Sequence, residues 1–226
     1  MPKSAIDQEA LIEMFSTATA KQGKQLQDAV YRTTLGALQG RELTLKNIRG
    51  VLQSVTQAAS AGAAQNPALA AMDGQALLDK AVAGMDAALL QAVEANRVAL
   101  QQFVDQGVGL QEKQLKKAVD DLEKFEDLLI DAVKKATEGA GAQLASQWAP
   151  VLDKLQAGGT QSGSQAAATA EQLLEQMQGA MRDSRAAGLK AAQALAQSYS
   201  ALVSGVLNGM SDALREAPAA KTPRKK

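Results

Sequence analysis

Apolar residues recur along this chain at steps of three and four almost from end to end, the period of an amphipathic α-helix. Ser4 is placed to cap a first helix, with Asp7 and Glu9 in the turns where the helix dipole favours acids. That helix carries Ile6, Leu11, Phe15, Leu26, Val30 and Leu38 and runs to Gln39, with a polar middle around Gly23. Gly40 to Leu43 reads as a turn, and Thr44 caps a second helix bearing Leu45, Ile48, Leu52 and Val55. Asn66-Pro67 stops it, which makes residues 1–66 an N-terminal helical hairpin.

The most regular stretch follows Asp73. Leu78, Val82, Met85, Leu89, Val93, Asn96, Leu100 and Phe103 step by 4, 3, 4, 4, 3, 4 and 3, a helix-packing stripe with partly hendecad spacing. The pattern pauses at Gly107-Val108-Gly109 and resumes through Leu115, Val119, Leu122, Phe125, Leu129 and Val133. Unbroken, residues 74–138 would form a rod of roughly 98 Å at ~1.5 Å per residue; a hinge at 107–109 would halve it, and the glycines favour the hinge. Pro150 fits the first turn of a short helix or a kink in a longer one, closing a long-helix segment over 67–157. Gly158 to Ser164 reads as a flexible linker, residues 165–216 as one long amphipathic helix, and 217–226 as a disordered basic tail. No strand pattern occurs, so the expected fold is all-α: an elongated, coiled-coil-like bundle of roughly five helices, self-associating through the stripes at 78–103 and 174–214.

Composition narrows the chemistry. Of 226 residues 46 are Ala and six are aromatic, so the chain favours a thin helical core over a thick globular one. Lys plus Arg and Asp plus Glu balance at 24 each, and this neutrality selects no acidic or basic partner. There is no His and no Cys, which removes imidazole catalysis, thiolate chemistry and N- or S-ligated metal. Glu123 and Glu126 lie in the charged segment 112–138, but a di-iron bundle also needs His, and a solvated helix face is the better account. Phosphate-cradling glycine loops and nucleophile elbows are missing. The expectation is a non-enzyme with no cofactor and no metal. Asp7, Glu9 and Glu13 break up the first fifteen residues, so no secretory leader is read there and a cytoplasmic location is the default.

Two uncharged runs stand out, 23 residues from Gly50 to Met72 and 21 from Ala191 to Ser211. The second holds too many Gln, Ser and Asn to span a bilayer, so no transmembrane segment is expected. Its stripe of Leu195, Tyr199, Leu202, Val206 and Met210 suits a seam in a bundle or homo-oligomer, or adsorption onto an apolar surface. A weaker third reading is nucleic-acid binding. Residues 21–49 hold six basic side chains around a helix-turn-helix-like spacing, and Lys221, Arg224, Lys225 and Lys226 could touch phosphates.

Alanine-rich, cysteine-free amphipathic helices with Gln- and Ser-rich polar faces, closing on Ala-Pro-Ala-Ala-Lys-Thr-Pro-Arg-Lys-Lys, resemble the phasins that coat polyhydroxyalkanoate granules. That resemblance implies a non-catalytic, usually oligomeric granule-surface protein. A more local likeness covers about residues 26–135. Leu43-Thr-Leu-Lys-Asn-Ile-Arg-Gly-Val-Leu-Gln-Ser-Val-Thr-Gln57, Ala81-Val-Ala-Gly-Met-Asp-Ala-Ala-Leu-Leu-Gln91 and Leu115-Lys-Lys-Ala-Val-Asp-Asp-Leu-Glu-Lys-Phe-Glu-Asp-Leu-Leu129 resemble an uncharacterised proteobacterial helical family of unknown function. It implies the all-α fold and brings no active site. The expected function is therefore a non-enzymatic surface-associating or scaffolding protein, phasin-like in its concrete form. A soluble helical oligomer that binds another protein is the main alternative.

Overall fold

The computed structural model describes residues 6–40, 42–66, 74–105, 112–139, 141–183 and 192–216. These form eight α-helices and no strand: α1 Gln8–Thr17, α2 Gly23–Gln39, α3 Leu45–Gln65, α4 Gly74–Asp105, α5 Glu112–Gly139, α6 Ala142–Gly158, α7 Gln161–Asp183 and α8 Ala192–Glu216. A single 3-10 turn, Ala20–Gln22, joins α1 to α2. The fold is all-α, built from more and shorter helices than the pattern predicts.

The first predicted helix is two. Asp7 caps α1, its Oδ1 accepting from the Ala10 N–H at 3.0 Å. The polar stretch after Phe15 ends α1 at Thr17, where Ala18 turns extended. Asn66 then ties this corner down: its Nδ2 donates to the Phe15 and Ala18 carbonyls at 2.8 and 2.9 Å. Thr44 caps α3 as the spacing implies, its hydroxyl accepting from the Asn47 N–H at 3.2 Å. Pro150 lies well inside α6, past the first turn.

A single straight rod over 74–138 is ruled out by two carboxylates. Asp86 on α4 and Glu126 on α5 are forty residues apart, ~60 Å along one continuous helix. Both nevertheless hydrogen-bond to the same turn before α7, so α4 and α5 fold back on each other. The glycines at 107 and 109 lie outside the described residues.

Helix α4 runs through the middle of the bundle and packs on α2, α7, α8 and α6. At the α2–α4 crossing a side chain at Gly84 would place its Cβ 2.6 Å from the Gln27 carbonyl oxygen, so only glycine permits that approach. The main core spans α1 to α7 and includes Phe15, Ile48, Met85, Leu89, Phe125 and Trp148. Trp148 is fully buried, and its indole N–H donates to the Ser60 hydroxyl at 3.1 Å. The stripe residues Leu78, Val82, Met85, Leu89, Val93 and Leu100 are all buried. The side chain of Phe103 lies outside the described residues.

A second, separate cluster of six buried residues seats α8: Leu35 of α2, Ala88, Ala95 and Ala99 of α4, and Val203 and Leu207 of α8. Three of the six are alanine, so this seam is thinner than the main core.

Candidate functional site

The least ordinary stretch in the sequence, the uncharged run to Ser211, makes up most of α8, and this helix is seated in the thin, half-alanine seam. Its backbone period explains how it sits. Val203 and Leu207 are fully buried, and Tyr199 continues the same i, i+4 ridge. Leu202 and Val206 are half-buried and pack on the edge of the six-residue cluster. Met210 is half-buried as well, whereas the Leu195 side chain lies outside the described residues. At 100° per residue, the ridge that faces the bundle is turned ~60° from the centre of the Leu195–Met210 stripe. The stripe therefore straddles the boundary between seam and solvent. Beyond it lie Ser198, Ala201, Gly205, Asn208 and Gly209, all exposed and uncharged.

Two polar contacts add to the seam. The Tyr199 hydroxyl donates to Oδ1 of buried Asn96 on α4, and Asn96 Nδ2 donates to the Ala92 carbonyl at 2.9 Å. From α2, Gln39 Nε2 donates to the Leu207 carbonyl at 2.8 Å. Burial pushes the Tyr199 phenol well above its ordinary range, and the negative charge of Asp121 adds to the rise. Burial raises the Tyr31 phenol as well. Beside α8 a groove of about 610 Å³ is lined by Asp28, Tyr31, Arg32, Leu35, Gly36, Gln39 and Ser211.

At the other end of the bundle the glycine-rich run 158–164, expected to be a flexible linker, is a tight turn and a helix start. Gly159 turns the chain at φ 66°, and Thr160 caps α7, its hydroxyl accepting from the Gly163 N–H at 2.8 Å. Two carboxylates then close on the helix N-terminus. Glu126 Oε1 accepts from the Thr160 N–H at 2.7 Å; Asp86 accepts from the Gln161 and Ser162 N–H groups, both at 2.9 Å. Backbone donors left over at a helix start, with the positive end of its dipole, are what acids satisfy there. The expected single helix over 165–216 is likewise described as two, α7 and α8, with 184–191 outside the described residues.

Glu126 is thus a structural ligand of α7, and no group of three or more Asp, Glu, His or Cys among the described residues could hold a metal ion. No described helix is long and apolar enough to cross a membrane. Of the basic residues in 21–49, Lys21, Lys24, Arg32, Lys46 and Arg49 are exposed, and Lys24 pairs with Asp28 at 3.0 Å. Arg41 and the tail residues Lys221, Arg224, Lys225 and Lys226 lie outside the described residues.

Sequence reasoning missed Val203 and Leu207 because neighbouring apolar positions on one helix compete for the same face. It missed the clasp on α7 because Asp86 and Glu126 meet only through folding. Thr160 was the available signal: a capping residue inside an apparent linker marks a helix start.

Residues 1–216 match the model of a family of unknown function (DUF6781). No curated protein and no solved structure matches the chain.

Proposed function

The chain belongs to the DUF6781 family, and from the geometry we propose that it is a non-enzymatic surface-associating protein that uses α8 to adsorb onto an uncharged apolar surface. The observation that carries this reading is the edge formed by Leu202, Val206 and Met210. These are half-exposed on a helix that has no charge from Ala192 to Ser211. An amphipathic helix can exchange one apolar contact for another of similar area. The neutral polar face argues against an anionic bilayer, which attracts helices flanked by Lys and Arg. A polyester storage granule, as the compositional likeness to phasins implies, is the concrete surface we propose. The same edge is where a second copy of the chain would pack if the protein acts as a soluble oligomer.

Co-flotation of the purified protein with polyhydroxybutyrate particles and, separately, with anionic vesicles tests the proposal. Selective recovery with the polyester is expected. Recovery with neither, together with a discrete oligomer in solution, would replace it with the scaffold reading.

A further inference from the structure

Helix α8 cannot present its whole apolar side while Val203 and Leu207 are buried in the seam. We propose that α8 is a latch: docked on α2 and α4 it is autoinhibited, and its release from that seam is the step that makes the protein competent to bind an apolar surface. This rests on the surface-association reading above and adds a regulatory equilibrium to it.

Three features support a latch over a permanently packed helix. The buried cluster of the seam is distinct from that of the main core and half alanine, and the one α8 side chain that also packs on the main core, Tyr199, is only partly buried, so parting the seam leaves the large buried residues of α1 to α7 in place. It is supplemented by discrete polar contacts, Tyr199 to Asn96 and Gln39 to the Leu207 carbonyl, which define one docked register. Release would also join Val203 and Leu207 to the half-exposed Leu202 and Val206, widening the apolar face by the ~60° that separates ridge and stripe.

In such an equilibrium the apparent affinity is the intrinsic affinity scaled by the fraction of molecules with α8 released. Weakening the seam from the side that α8 leaves behind must therefore tighten surface binding. Leu35→Ala, Gln39→Ala and Asn96→Ala all act from α2 or α4 and leave α8 itself unchanged. Ile48→Ala, in the main core of α3, is the control for general loosening.

The test is flotation of the full chain with polyhydroxybutyrate particles at sub-saturating particle surface. Far-ultraviolet helicity and the emission of buried Trp148 report that the bundle remains folded. Each seam variant is expected to raise the partition coefficient about tenfold for a tenfold gain in released helix, with Ile48→Ala near the parent. Gln39→Ala removes only a contact at the end of α2, so it remains informative if Leu35→Ala misfolds. Wild-type binding that the seam variants leave unchanged or lower, or that Ile48→Ala raises equally, overturns the latch but keeps the surface reading. If no variant binds the particles, the surface reading and the latch fail together.

Discussion

Asp86 and Glu126 illustrate how single side chains set the path of this chain. Each occupies backbone donors at the start of α7, from a different helix, so the clasp fixes three elements at one point. Asp86→Ala should cost about 1.5–3 kcal/mol, the usual worth of hydrogen bonds to a charged group, in a chemical denaturation experiment. A side chain at Gly163 would run into the Glu126 carboxylate, so Gly163→Ala should destabilise the fold by about 1–3 kcal/mol. At the α8 seam the sensitive residue is Tyr199. Its phenol is raised in the folded state, so the stability it contributes is intact below pH about 10, the unfolded value, and is lost as pH rises toward the folded value. With Tyr31→Phe in place, Tyr199 is the sole tyrosine. Its ultraviolet tyrosinate transition should then lie above pH 10 and coincide with loss of α8 docking. A transition at the ordinary value would mean that the hydroxyl is not held at Asn96.

Among the elements, α3 and α4 were the most legible. Thr44, Asn66 and the 4-3 stepping from Leu78 to Leu100 are local signals, and local hydrogen bonding and burial decide those helices. Elements whose limits depend on distant partners were not legible. The α7 start is set by Asp86 and Glu126, the break after α1 by Asn66 reaching back across the chain, and the seating of α8 by Leu35 and three alanines. Alanine carries too little periodic signal to announce the groove it lines, and the apolar stripe that the sequence does show has Leu202, Val206 and Met210 at the seam edge in the fold. That edge carries the function we propose, and it gives a direct prediction. Leu202→Asp and Val206→Asp are half-exposed changes that should leave the main core and overall helicity nearly intact while abolishing adsorption, read by flotation and circular dichroism.

Over the whole molecule, the fold has two tiers. The main core gathers Phe15, Ile48, Phe125 and Trp148 across seven helices, whereas α8 buries Val203 and Leu207 in a satellite with Leu35 and three alanines and reaches the main core through Tyr199. A full-size side chain contributes ~1.5–3 kcal/mol on burial, so the satellite alone is a small fraction of the stabilising burial. Amide hydrogen exchange should show α8 opening at a lower free energy than α3 and α4, as a local event well below global unfolding. The folding back of α4 and α5 belongs to the same scale. It creates the central position of α4, against which α2, α7 and α8 all pack, and so supplies the seam itself. Adsorption through α8 is tested by flotation of the wild-type chain and Leu202→Asp side by side with polyhydroxybutyrate particles. Wild type should be recovered with the polyester, and Leu202→Asp should stay in solution with its helicity unchanged. Equal recovery of both would remove α8 as the adhesive element.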